Sequence, residues 1–408
     1  MLTAEILTLP FFDESHRRLA ADLAQWTHRE LAFLRTTVQD EDLACQQIVQ
    51  ALGRGRECWL RYVVPTEYGG MFERLDVRSL CLIRETLARF SALADFAFAM
   101  QGLGSAPLTL FGTEAQKKAY LPKVCIGAKI AAFALSEREA GSDVSALATT
   151  AQFDGSHYIL NGEKTWISNA GIADFYCVFA RSEVAPGAKG LSAFVVDAKT
   201  PGFFVTERIH VTSPHPLGTI SFENCRIPES HRIGDPGQGF KIAMATLDVF
   251  RSTVGAAALG LARRAIFEAL ARVSTREVFG RPLGDFQLTQ QRIAQMATEL
   301  DASALLIYRA AWKKDAGAER ITKEAAMAKW YATEAAQRII DSSMQLLGGL
   351  GVISDSPVER LYRDIRPLRI YEGTSEIQQI IIASQVLREF AERHNLVPST
   401  PKVAPQDA

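Results

Sequence analysis

Apolar and charged residues alternate at helical spacing over residues 14–35 and 38–51. The loop Pro65-Thr66-Glu67-Tyr68-Gly69-Gly70 interrupts this pattern, and it resumes from Val77 to Phe90. The next stretch, Asp95 to Gly104, is almost entirely apolar, and a helix without a polar face is a buried helix. From Ile130 to about Asp235 the period shortens to that of strands. Tyr158–Leu160 and Lys164–Ser168 flank Asn161-Gly162, which predicts a hairpin. Phe175–Ala180 and Ser192–Asp197 predict further strands, with Pro186-Gly187, Pro201-Gly202 and Pro236-Gly237 between elements. Short strands at this spacing predict a small antiparallel barrel or sandwich. Residues 238–273 are Ala-rich and free of proline, and helical periodicity follows over 287–315, 322–347 and 375–394. Four long helices with short connections predict a bundle.

The expected fold is therefore α+β and multidomain. A helical domain spans 1–130, an antiparallel β-barrel domain 131–235, and a C-terminal four-helix bundle 236–394. Residues 395–408, with Pro398, Pro401 and Pro405, are expected to form a flexible tail.

Composition narrows the function classes. A chain of 408 residues is too long for one simple core. A net charge of −1, without a Lys/Arg block, removes the electrostatic reason to expect nucleic-acid or anionic-membrane binding. The six cysteines are scattered and form no Cys-x-x-Cys pair, so neither a zinc knuckle nor a disulfide framework is expected. Reduced thiols fit a cytoplasmic protein, and Met1–Phe12 lacks the basic start of a signal peptide. No stretch reaches the ~18 uninterrupted apolar residues of a membrane span.

Nucleotide-binding signatures are missing. Gly349-Leu350-Gly351 follows a helix rather than a strand, and there is no P-loop. His210 and His215 sit amid strand and turn signals and do not suggest a metal pair, so no metal is expected. The informative pieces are two segments of the middle region and one near the C-terminus. Phe133-Ala134-Leu135-Ser136-Glu137-Arg138-Glu139-Ala140-Gly141-Ser142-Asp143 reads as a strand entering a polar loop whose N–H groups and hydroxyls suit a heterocycle edge or a diphosphate. Trp166 and Ser168 lie two apart on a strand, on one face, and suit a flat, partly polar ligand. An ordinary loop and a core tryptophan explain the same residues. Near the C-terminus, Glu372 lies between Tyr371 and Gly373, before a helix that Ser375 or Thr374 could cap. A carboxylate there either serves the helix dipole or is a positioned general base.

These pieces, with Tyr371-Glu372-Gly373-Thr374-Ser375-Glu376-Ile377-Gln378, resemble the acyl-CoA dehydrogenase family of FAD enzymes. The resemblance extends to Leu247–Arg251, Arg276–Pro282 and Gln345–Gly351, in the family's order, over residues 15 to 390. It implies FAD between the β-domain and the bundle. Phe133, Leu135 and Ser136 would lie along the flavin, Gly141 and Ser142 near the diphosphate and the thioester, and Trp166 and Ser168 against the ring, Ser168 near N5. Arg276, Phe279, Gln287, Gln345 and Gly349 would hold the adenine half of FAD from a neighbouring subunit, which implies a homo-oligomer, commonly a tetramer. Thr374 and Glu376 would open the last helix near the cofactor. Asp248 and Arg251 would face the CoA part of the substrate, with Tyr371 and Gly373 lining the site.

Glu372 falls at the family's usual catalytic-base position. Phe250, at the alternative base position on the bundle helix, cannot take a proton. The implied reaction is α,β-dehydrogenation of an acyl-CoA thioester to the trans-2-enoyl-CoA, with hydride passing to flavin N5. A raised pKa is expected for Glu372, and an electron-transfer flavoprotein is the expected electron acceptor. Phe96, Phe98 and Met100 fall where the family lines its acyl pocket. The segment Phe96–Leu103 has no Arg or Lys, which speaks against a dicarboxylyl substrate and for an apolar or aryl-bearing chain. The Pro-bounded loop Ile209–Gly218 replaces a basic stretch common in the family and leaves the carrier, CoA or a carrier protein, open.

Overall fold

The structure is a computed structural model that describes residues 5–35, 40–55, 57–183 and 185–396. Apart from Asn395 and Leu396, the expected tail lies outside the described residues. The chain divides into two compact units. One gathers Asp76–Asp95 and everything described from Asp248 onward, together with the first helix; the other gathers Phe96–Leu247 and the segment before Asp76.

The helical unit contains α1 (Glu14–Glu30) and α3 (Val77–Phe90), and most of α6 (Gly239–Thr275). It also contains α7 (Gln287–Asp315), α8 (Thr322–Leu347), α9 (Pro357–Leu368) and α10 (Ser375–Arg393). Aspartates fix the starts of α1 and α3. Asp76 caps α3 through Ser79 N at 2.8 Å and also meets His16 Nε2 at 3.0 Å. Asp315, at the end of α7, accepts from the first two α3 amides, Val77 N at 2.7 Å and Arg78 N at 3.0 Å. These bonds satisfy donors that a helix start would otherwise leave bare. The sequence pattern missed α9, whose buried side is only Val358, Leu361, Ile365 and Leu368 among many charges. It also missed the small hairpin of β9 (Glu277–Val278) and β10 (Arg281–Pro282). Helix α6 is apolar and long enough to cross a membrane by composition, but its side chains are the core of a folded unit, with 83% of the most apolar window buried.

The second unit holds α2 (Glu41–Leu52), most of α4 (Ala92–Phe111), α5 (Glu114–Cys125) and an eight-stranded sheet. The strands are β1 (Ala131–Ala134), β2 (Thr150–Phe153), β3 (His157–Ser168), β4 (Phe175–Arg181), β5 (Leu191–Asp197), β6 (Phe203–Arg208), β7 (Leu217–Pro228) and β8 (Arg232–Ile233). Their order is β6-β7-β3-β2-β4-β5-β8, with β1 beside β4. The path does not close on itself, so the middle region is a sheet domain and not the closed barrel expected. Nor is it wholly antiparallel, because β1 and β2 each pair with β4 in parallel. Apolar residues fill the central strands; Phe175–Ala180 and Leu191–Val196 are fully buried.

The expected hairpin at Asn161-Gly162 does not form. His157–Ser168 is one continuous strand, and Gly162 marks a bulge in its pairing with β7. At Gly162 φ is 133°, and a Cβ there would lie 2.9 Å from Thr149 Cα. The glycine serves a bulge and a close backbone approach rather than a turn.

Candidate active site

The site begins where α9 gives way to α10. Ile370 N and Tyr371 N both bond Pro367 O, at 2.9 and 3.0 Å, and end the helix. Thr374, not Ser375, caps α10, its hydroxyl accepting from Ile377 N at 3.3 Å. Ser375 instead donates to Glu334 Oε1 at 2.5 Å, where Arg369 Nε also arrives at 2.8 Å. Between these anchors Glu372 and Gly373 are both left-handed, with φ of 53° and 90°. That conformation is strained for a glutamate and persists only where its surroundings impose it.

The surroundings are two N–H-donating side chains, an ammonium and a carboxamide. Lys329 Nζ donates to Gly373 O at 2.7 Å. Gln378 Nε2 donates to Gly373 O at 3.0 Å and to Glu372 O at 3.2 Å. A Cβ at position 373 would come within 2.5 Å of Gln378 Nε2, so only glycine leaves room for this clamp.

The carboxylate that the turn presents is unusual. Glu372 as a residue is partly exposed, yet its Oε2 is buried and has no hydrogen-bond partner. Burial pushes its pKa up. Arg84, Lys329 and Arg251, in that order, oppose the rise, while Asp95 adds to it. The direction is the one the sequence suggested. A buried carboxylate oxygen with no partner is open to a proton or a hydrogen-bond donor from a ligand.

Sequence reasoning missed most of these neighbours. Arg84 sits on the buried face of α3, with Nε and Nη2 on the two oxygens of Asp95 at 2.8 Å each and Nη1 on Thr253 Oγ1 at 3.0 Å. Burial opposes its charge, but the Asp95 pair outweighs this and raises its pKa. Lys329 is fully buried, and burial lowers its ammonium pKa to about 7 despite the pull of Glu372. Arg251, only 4% exposed, bonds Asp248 Oδ1 at 3.0 Å, and Asp248 Oδ2 accepts from Thr322 at 2.9 Å. Thus Asp248 and Arg251 are tied to each other.

In the sheet unit, Lys164 orders the segment that follows β1. Its buried ammonium bonds Leu135 O at 3.1 Å and Glu137 Oε1 at 2.7 Å. Glu137 in turn accepts from Ala148 N at 2.6 Å and Thr149 N at 3.0 Å, and Thr165 N donates to Ser136 O at 3.0 Å. The carbonyls of Leu135 and Ser136 are therefore turned to β3. The hydroxyls of Ser136, Ser142 and Ser168 have no partner among the described residues, and the space beside Gly141 is open. Trp166, at φ 59°, is 56% exposed, and Phe133 is partly exposed against Phe179. Lys164→Met is expected to cost about 1.5–3 kcal/mol in urea unfolding, because the charged hydrogen bond to Glu137 and the bond to Leu135 O are lost while the two backbone donors to Glu137 remain.

The remaining expected residues lie on the helical unit. Arg276 lies against Gly348, within 3.3 Å of where its Cβ would be, next to exposed Gly349 and Gln345. Phe279 at the β9–β10 turn is 94% exposed, and Gln287 opens α7 on the surface. Glu376 is exposed in the first turn of α10.

Three family models cover the chain in succession: the acyl-CoA dehydrogenase N-terminal domain over residues 13–128, middle domain over 132–225 and C-terminal domain over 237–387. The chain belongs to the acyl-CoA dehydrogenase family. It is 40% identical to the 3-(aryl)acrylate reductase of Clostridium sporogenes, over 93% of this chain and all of that protein. It is 39% identical to the human mitochondrial short-chain specific acyl-CoA dehydrogenase, over 92% of this chain and 91% of that one. Among solved structures, an acyl-CoA dehydrogenase from Bacillus anthracis complexed with FAD superposes with a TM-score of 0.84 at 31% identity, covering 94% of this chain and 69% of that one. For a dehydrogenase of this family, the motif around Glu372 was legible. Lys329 and Arg84 were not, since a charge in a periodic helix reads as solvated.

Proposed function

We propose that this protein is an FAD-dependent acyl-CoA dehydrogenase that converts an acyl-CoA thioester to its trans-2-enoyl-CoA, with Glu372 as the base. The buried, unpartnered Glu372 Oε2 in its imposed left-handed turn carries this reading. The main-chain N–H of Glu372 also finds no acceptor among the described residues. It is suited to donate to the thioester carbonyl oxygen, which makes the α-proton more acidic. Glu372 then removes that proton from carbon held beside it.

The residues fit FAD. Three unpartnered hydroxyls beside an exposed tryptophan and a partly exposed phenylalanine match a flat ring with a polar rim, and the open space at Gly141 admits a diphosphate. Phe133, Leu135, Ser136, Trp166 and Ser168 would hold the ring, and Gly141 and Ser142 the diphosphate. When bound, FAD supplies the two-electron acceptor for the β-hydride. Phe279 is too exposed to serve its own fold. With Arg276, Gln287, Gln345 and Gly349 it suits the adenine end of FAD in a second copy of the chain, which supports a homo-oligomer, read as a tetramer. An electron-transfer flavoprotein is the proposed electron acceptor.

The Arg84–Asp95 pair refines the substrate. A guanidinium does lie near the base, contrary to the impression from Phe96–Leu103 alone, but Asp95 already occupies it. An acyl chain with a terminal carboxylate would find the Arg84 guanidinium already occupied, so an apolar or aryl-bearing acyl group is proposed. Anaerobic mixing of the FAD-loaded protein with straight, branched, aryl and dicarboxylyl-CoA thioesters tests this. Flavin bleaching by an apolar or aryl member, with enoyl product, is expected, and none by glutaryl-CoA. Bound flavin that no thioester bleaches would overturn the reading.

A further inference from the structure

We propose that Lys329 is a positioning residue for the base: it clamps the Gly373 carbonyl, and its charge holds Glu372 as the carboxylate. The second half rests on the proposed function; the first does not. Lys329 lies in the middle of α8 with no exposed surface, among Ala325, Ala326, Ala328, Ala332 and Thr333. A buried ammonium is costly unless something repays it. Lys329 donates to Gly373 O at 2.7 Å, the carbonyl of the residue that follows Glu372. An ordinary structural lysine would be expected on a carboxylate with full hydrogen bonding. Here the acid of the same helix that acts on it, Glu334, is taken by Arg369 and Ser375.

The charges around Glu372 come from every side. Arg84 and Asp95 arrive from α3 and α4, Arg251 with Asp248 from α6, and Lys329 with Glu334 from α8. Tyr371 neighbours it in the turn, and Glu376 acts on Lys329 from α10. Asp95 compensates Arg84, and Asp248 compensates Arg251. Among the described residues Lys329 forms no ion pair of this kind, so its charge on Glu372 is offset only at a distance, by Glu334 and Glu376. That charge also comes and goes near neutral pH, since burial brings its pKa to about 7.

Two variants separate clamp from charge. Lys329→Met removes both; Lys329→Gln keeps a donor for Gly373 O without the charge. Backbone hydrogen exchange over residues 371–378 of the FAD-loaded protein reads the clamp. Exchange about tenfold faster is expected in Lys329→Met and near wild type in Lys329→Gln. The pH dependence of flavin reduction reads the charge. Its acid limb is expected to move up by about one pH unit in both variants, because Glu372 loses a cation. Urea unfolding gives a third readout that needs no substrate. Lys329 holds its proton to higher pH when unfolded, so wild-type stability should rise relative to Lys329→Met as pH rises from about 7. Wild-type exchange together with an unmoved acid limb in Lys329→Met would overturn the proposal. A wild type whose flavin no thioester reduces would sink Glu372 as base and with it the charge half, while exchange and unfolding would still decide the clamp.

Discussion

Glu372→Gln is expected to keep the fold and bound FAD while slowing flavin reduction by roughly two to four orders of magnitude. Glutamine has the size of glutamate, can follow the same left-handed turn, and leaves the main-chain N–H in place. It cannot take a proton from carbon. Stability should move the opposite way to activity. Burial raises the Glu372 pKa, so the unfolded chain gives up this proton first as pH rises. Over the window between the ordinary and the raised value, wild-type stability therefore falls with pH. The glutamine variant has no such slope, and its melting temperature at neutral pH should be equal or higher. A functional carboxylate kept at some cost to the fold behaves in this way. Stopped-flow reduction and melting curves across pH check both halves. Retained reduction rate would remove Glu372 from the role of base, whatever the melting curves show.

How much of this was legible depends on what kind of signal each residue sends. Long helices of strong periodicity, such as Gln287–Asp315 and Thr322–Leu347, were placed within a residue or two. Central strands rich in Phe and Val were equally plain. Asn161-Gly162 misled because the same dipeptide serves a hairpin turn and a bulge, and only the β7 partner strand decides between them. Sheet closure is likewise a long-range property that local alternation does not carry. At the site, Tyr371-Glu372-Gly373 announced itself through its glycine and its motif. Lys329 was hidden because a lysine in an Ala-rich helix reads as a solvated charge. Arg84 was hidden in the same way, although its flanks, Leu80, Ile83, Leu87 and Ala88, put it on the apolar face of α3. A charge in the middle of an apolar stripe is the signal that could have found it.

Arg84→Met is expected to cost about 3–5 kcal/mol in urea unfolding, the largest stability loss predicted for a single change in this chain. The variant removes three hydrogen bonds, to both oxygens of Asp95 and to Thr253, and strands the Asp95 carboxylate where it has almost no solvent. Removing the whole pair is a different matter. Arg84→Met with Asp95→Leu replaces two desolvated charges by apolar groups of similar size, and most of the loss should return. The double variant should still carry a mark at the base. Without Arg84 the carboxylate of Glu372 loses its largest opposing charge, and without Asp95 it loses the acid that worked against that charge. Because Arg84 outweighs Asp95 in its effect on Glu372, the acid limb of flavin reduction should sit higher than in wild type even where the fold has recovered. Recovered stability with an unmoved limb would make the pair a purely architectural staple. A double variant as unstable as Arg84→Met alone would show that the cost lies in the packing of α3 and not in the stranded charge.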